Sequence, residues 1–214
     1  MRTRIKFCGL VRPGDVDDAV AIGADAVGFV FYPKSPRRLD LAHAASLRRR
    51  LPSWVSAVGL FVNAPCGAIA ETARTVGLDV LQLHGDETPA DAAEAGAAAG
   101  RPWWKAFRMR PETDLLTSAR SFGAAECLVL DAFSDGYGGS GRTFDWSWIP
   151  PGLPARIVMS GGLDAGSVAD AIGRIRPFAV DVSSGIQGDD PRTKDRSRME
   201  RFVAAVLEAD ARRP

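Results

Sequence analysis

The chain has 214 residues, 46% hydrophobic and 25% charged, as expected of a soluble globular protein with a sizeable core. Its formal net charge is +1, so no global field draws it to nucleic acid, an acidic membrane or an acidic protein. Three widely spaced cysteines (Cys8, Cys66 and Cys127) argue against a disulfide framework, and no stretch has the roughly 20 apolar residues of a membrane helix. The apolar run near the N-terminus is too short for a signal peptide, so the cytoplasm is the expected location.

Arg4 to Leu10 (RIKFCGL) reads as a short buried strand that delivers a thiol and stops at a glycine. Alternation along a strand puts Lys6 and Cys8 on one face and Ile5 and Phe7 on the other. Asp15–Ile22 carries a helical apolar stripe closed by Gly23. Asp25–Phe31 is a second strand, and the two prolines of Tyr32–Arg38 forbid regular structure after it. A helix over Leu39–Leu51 has Asp40 placed to cap it, and the arginines at its end suit the helix dipole and a solvated surface.

Strand and helix then alternate. Strands are predicted over Trp54–Val62, Asp79–Leu83, Pro102–Phe107, Glu126–Leu130, Ala155–Met159 and Phe178–Val182. Helices are predicted over Pro65–Val76, Thr88–Ala99, Glu112–Arg120, Asp164–Arg174 and Asp195–Ala209. Ala132–Thr143 is a long glycine-rich loop, with only a short helix possible near Trp146. Eight strands, each followed by a helix or a substitute for one, specify an α/β fold, a (βα)8 TIM barrel. No linker or composition shift divides it, so residues 1–214 are expected to form a single domain.

The working face of such a barrel lies at the C-terminal strand ends. That face collects Cys8, Arg37 from the second loop, His84, Asp131, Ser160 and Ser183. The first and sixth strands are three steps apart around the ring, so Cys8 and Asp131 face each other across the mouth as a possible base and acid. The exits Ser160-Gly161-Gly162 and Ser183-Ser184-Gly185 let backbone amides approach an anion, at the usual phosphate position of this fold. Gly136–Gly141 fits G-x-G-x-x-G by letter, but no helix follows and no acidic residue stands about 20 positions on. A lid, or extra amides for the phosphate from Gly139, Ser140 and Gly141, is the better use of it. Metal binding is not expected, since His43 and His84 have no partners at ligand spacing. Cys66 and Cys127 read as core residues, and His84 as either pocket wall or a structural hydrogen-bonding group.

Several segments together resemble one family. Lys6-Phe7-Cys8-Gly9, Gly23 to Phe29 (GADAVGF), Ser35-Pro36-Arg37, Gln82-Leu83-His84-Gly85, Gly138 to Gly141, Ser160 to Gly162 and Asp181 to Gly185 are similar to phosphoribosylanthranilate isomerase of tryptophan biosynthesis. The resemblance spans nearly the whole chain in order. It implies a cofactor-free (βα)8 barrel performing an Amadori rearrangement, with a phosphosugar substrate and no nucleic-acid or membrane partner. The state could be monomer or homodimer. By that similarity Asp131 is the general acid that opens the ribose ring and Cys8, as thiolate, the general base at carbon 2. Arg37 would hold the anthranilate carboxylate and the Ser/Gly exits the phosphate. Because a free thiol titrates near 8.5, Cys8 needs help, and alternation places Lys6 and Asp181 as a pair beneath it. The leading rivals are the histidine-pathway isomerase, which carries an aspartate where this chain has Cys8, and a non-catalytic phosphosugar-binding barrel.

Overall fold

The computed structural model describes residues 2–133 and 143–212. Eight strands are β1 (Arg4–Cys8), β2 (Ala26–Val30), β3 (Ser56–Phe61), β4 (Val80–Leu83), β5 (Trp103–Met109), β6 (Cys127–Ala132), β7 (Ile157–Met159) and β8 (Ala179–Val182). Each pairs in parallel with the next, and β8 pairs with β1 to close the barrel. Around it lie α1 (Pro13–Ile22), α2 (Leu41–Arg48), α3 (Cys66–Val76), α4 (Pro89–Ala99), α5 (Leu115–Ser121), α6 (Val168–Ile175) and α7 (Arg196–Ala211). Between β6 and β7 the described residues form only a 3-10 turn, Trp146–Trp148, as the short pattern near Trp146 suggested.

Helix starts follow capping chemistry. The Asp40 carboxylate accepts from the His43 N–H, Asp114 from Thr117 and Asp195 from Arg198, each taking one of the orphan donors of a first turn. Thr88 and Asp91 form a reciprocal capping box on α4. The last predicted helix but one starts four residues late, at Val168. Asp164 Oδ1 instead accepts from Gly166 N–H and Ser167 N–H, a local turn that competes with the helix.

Two apolar layers result. Outward-facing strand residues pack under the helices; Phe7, fully buried, meets Phe202 of α7 edge-on with ring centroids 6.2 Å apart. Burial of such a ring stabilises by about 1.5–3 kcal/mol. Inward-facing Ala26, Val58, Val80, Trp104, Val129, Val158 and Ala179 fill the lower half of the barrel with Cys127. Burial pushes the Cys127 thiol up to about 12, so it stays a neutral core side chain. Cys66 differs from the expectation: it opens α3 and is only partly buried, because a first helical turn lies at the rim of the core. The arginines ending α2 are also more than solvated surface. Arg48 donates to the Gly77 carbonyl at 2.9 Å and Arg50 pairs with Asp17. No helix among the described residues is long and apolar enough to cross a membrane.

Candidate active site

β1 turns Lys6 and Cys8 inward, and Gly9 ends it in the left-handed region at φ 73°. A Cβ at Gly9 would lie 2.6 Å from Arg37 Cδ, so the Arg37 side chain packs against Gly9, the residue after the thiol. The loop carrying it is braced by Arg192, which donates to the Pro36 carbonyl at 2.7 Å. On β2 the residue paired with Cys8 is Gly28, where a Cβ would fall 2.7 Å from the sulfur. The thiol occupies space that only glycine leaves open.

Lys6 pairs in register with Asp181 of β8, and its ammonium donates to Asp181 Oδ2 at 2.7 Å. Both side chains are buried. Burial disfavours the Lys6 ammonium, but Asp181 and the nearby sulfur outweigh that and hold its pKa above the usual lysine value. Burial pushes the Cys8 thiol up, and Asp181 adds to this, while Lys6 and Lys194 pull it down.

Across the mouth, Asp131 ends β6. Its Oδ1 accepts from the Ala132 N–H at 2.8 Å, and its Oδ2 lies 3.1 Å from His84 Nε2. That contact is close enough for charge interaction but off the line of the ring N–H, so Nε2 has no aligned hydrogen-bond partner among the described residues. His84 Nδ1 stands 3.0 Å from Gln82 Nε2, two residues back on the same face of β4. His84 thus lies against Asp131 and joins a buried polar chain with Gln82.

The exits of β7 and β8 lie against each other. Gly161 and Gly162 are both left-handed, at φ 81° and 66°, and a Cβ on Gly185 would sit 2.1 Å from the Leu163 carbonyl. Ser183 turns toward β1, donating from Oγ to the Cys8 carbonyl at 3.0 Å. Ser160, Ser184 and Gly185 line the same rim, half-buried. Gly139, Ser140 and Gly141 lie outside the described residues. At Gly161 a Cβ would meet Ala132 N at 2.4 Å and Asp131 Oδ1 at 3.0 Å. Gly161→Ala should accordingly cost about 2–3 kcal/mol of stability, from backbone strain and the clash, read as a lower urea midpoint at unchanged slope.

Sequence reasoning missed Lys194. It is almost fully buried, its ammonium donates to the Ser183 carbonyl at 2.8 Å, and burial, with Arg37 nearby, pulls its pKa down to about 8. Nothing in Asp189-Asp190-Pro191-Arg192-Thr193-Lys194 signals this, because a charged turn reads as solvated. The buried role of Gln82 was readable from its alternation with His84.

A closed parallel barrel with a thiol, a carboxyl and an arginine gathered at the C-terminal ends of its strands defines a (βα)8-barrel enzyme. Residues 5–205 match the family model of N-(5'-phosphoribosyl)anthranilate (PRA) isomerase. The chain belongs to that family. An N-(5'-phosphoribosyl)anthranilate isomerase of Ralstonia nicotianae is 53% identical over 98% of this chain and 95% of its own. The crystal structure of the phosphoribosyl anthranilate isomerase of Thermotoga maritima superposes with TM-score 0.86 at 38% identity, covering 96% of this chain and 99% of that one. Another, solved in complex with reduced 1-(o-carboxyphenylamino)-1-deoxyribulose 5-phosphate, gives TM-score 0.83 at 35% identity, covering 96% of this chain and 99% of that one.

Proposed function

We propose that the chain catalyses the Amadori rearrangement of N-(5-phosphoribosyl)anthranilate to 1-(2-carboxyphenylamino)-1-deoxyribulose 5-phosphate, a step of tryptophan biosynthesis. The observation that carries this reading is the position of Cys8 and Asp131 at the C-terminal ends of β1 and β6, three strands apart, in a chain of this family. Asp131, as the carboxylic acid, gives its proton to the ribose ring oxygen. The bond from that oxygen to C1 breaks as the aniline nitrogen pushes its lone pair into a C1=N bond. The Cys8 thiolate then takes the proton from C2, and that C–H pair becomes a C1=C2 bond while the iminium pair returns to nitrogen. The enolamine then gives its C2 hydroxyl proton to the Asp131 carboxylate and takes the proton held by Cys8 at C1, leaving the ketone and both side chains in their starting forms. Substrate and product are isomers and the protons pass through Asp131 and Cys8 without net gain or loss, so no external oxidant or reductant enters the balance.

The other groups fit the ends of this substrate. Arg37, held over Gly9 with no carboxylate partner among the described residues, suits the anthranilate carboxylate. The abutting exits of β7 and β8, with Ser160, Gly161, Gly162, Ser183, Ser184 and Gly185, suit the phosphate. Gly139, Ser140 and Gly141 would add amides to it. Lys6, paired with Asp181, sets the field beneath the thiol. In this role the barrel works as one catalytic domain in the cytoplasm, as a monomer or homodimer, on a sugar phosphate and not on nucleic acid.

Turnover of phosphoribosylanthranilate, followed as loss of its anthranilate fluorescence, tests the proposal. The wild-type protein should consume it and leave the bis-phosphorylated substrate of the histidine-pathway isomerase untouched. Binding of phosphate ligands without turnover would replace the proposal with a binding-only role.

A further inference from the structure

Lys6 and Asp181 are a matched pair: one ammonium and one carboxylate, side by side in register, beneath the sulfur. Asp181 opposes Lys6 at the thiol, although Lys6 remains the largest pull downward on it. Lys194 feels Asp15 and Asp181, but its ammonium forms no direct ion pair among the described residues. Its backbone is clamped to the start of α1, with its N–H donating to Asp15 Oδ2 at 3.3 Å and its carbonyl accepting from Arg12 at 3.1 Å. Gln187 and Lys194 form an antiparallel bridge that closes the turn between them, and Asp195 N–H donates to the Ile186 carbonyl. From this frame the side chain runs inward. Its ammonium donates to the Ser183 carbonyl at 2.8 Å and lies 3.3 Å from Ser183 Oγ, the hydroxyl that donates to the Cys8 carbonyl. An ammonium has three donors, and this one spends two on Ser183.

Six charged groups lie around the thiol and Lys194 on this side. Lys6 and Asp181 come from β1 and β8, Arg37 from the loop after β2, Arg12 and Asp15 from the start of α1, and Lys194 from the turn after β8. Arg12 and Asp15 pair with each other. Asp131 and His84 stand on the opposite wall. After these pairings Lys194 and Arg37 remain, among the described residues, as the cations in no ion pair with a carboxylate. Arg37 extends over Gly9 toward the open mouth, whereas Lys194 is tied to the element that holds the Cys8 backbone.

We infer that Lys194 is a positioning residue: through Ser183 it fixes the end of β1, and its charge, in no direct ion pair among the described residues, adds to Lys6 in favouring the Cys8 thiolate. The inference rests on the reading of Cys8 as the base, and deepens it. It matches the direction of the shifts, since Lys194 lowers the pKa of the buried thiol and the thiolate in turn raises that of Lys194. With its own pKa brought down to about 8, chiefly by burial, Lys194 carries its charge at neutral pH and releases it just above. Its help to the thiolate is thus full below pH 8 and fades above it.

The test is the pH dependence of Cys8 alkylation by iodoacetamide, quantified on the Cys8 peptide by mass spectrometry, for wild type, Lys194→Gln and Lys194→Arg. Only the thiolate reacts, so the midpoint reports thiol acidity independently of turnover. Lys194→Gln keeps a donor for Ser183 but removes the charge. It should slow alkylation about tenfold at pH 7, with the gap closing above pH 8, while Lys194→Arg should stay within about twofold of wild type. Lys194→Met provides a second charge-free variant if Lys194→Gln does not fold. Wild-type alkylation in the charge-free variants across pH 6 to 9 would overturn the inference, and so would a folded Lys194→Arg as slow as Lys194→Gln. If the shift appears but the wild type turns over no phosphoribosylanthranilate, the Lys194–Cys8 coupling stands and only the catalytic reading of Cys8 falls.

Discussion

Replacing Asp131 with Asn should lower kcat/KM for phosphoribosylanthranilate by about a thousandfold, and Cys8→Ser should do the same, with both variants folded. General acid and base groups contribute roughly a hundredfold to ten-thousandfold each, and these two act on different bonds. In Asp131→Asn the amide oxygen can still accept from the Ala132 N–H, so the strand end keeps its shape. What disappears is the proton for the ribose ring oxygen. In Cys8→Ser a hydroxyl fits the space beside Gly28, but it has no ionised form to use near neutrality. The loss should fall on kcat, because neither side chain is assigned to hold the carboxylate or the phosphate. Fluorescence assays under saturating and limiting substrate, with thermal melts as the control for folding, check this. Activity within tenfold of wild type in either variant would remove that residue from its assigned role.

The second large effect is on stability. Lys6→Met should destabilise the fold by about 3–5 kcal/mol, because it strands the buried Asp181 carboxylate, whose Oδ1 already lacks a hydrogen-bond partner. Lys6→Met with Asp181→Leu should recover most of that loss, since an apolar replacement of both members leaves no uncompensated charge. Urea unfolding of the three proteins separates the cases; a single variant as stable as wild type would refute the account. The single variant should also move Cys8 alkylation to higher pH. Burial already pushes the thiol up, and removing Lys6 takes away a cation that pulls it down while Asp181 still pushes up. This shift differs from that of Lys194→Gln in its companion: Lys6→Met carries the stability loss, and the double variant separates the two.

Much of the architecture was legible in the residues. Most strands are apolar runs with Gly or Pro close beyond them, and helical stripes stand between them, so the count of eight repeating units required no tertiary information. Asp40 was readable as a cap because an N-cap bond is local. The later start of α6 was not, because the Asp164 turn competes with a helical pattern of similar local strength.

For the site, sequence determined which side chains share the barrel interior. Alternation alone places Lys6 below Cys8 and Asp181 below Ser183, and the C-terminal strand ends name Cys8 and Asp131. Only the closed barrel decided which of these touch. The register of β1 on β8 brings Lys6 to Asp181 across 175 residues of sequence. Ring closure sets His84 against Asp131, and the clamp of Arg12 and Asp15 turns the charged segment ending at Lys194 into a buried cation beside the thiol. Periodicity reports which way a side chain points. The charge it meets there belongs to distant strands, and its burial is set by packing that no local pattern contains.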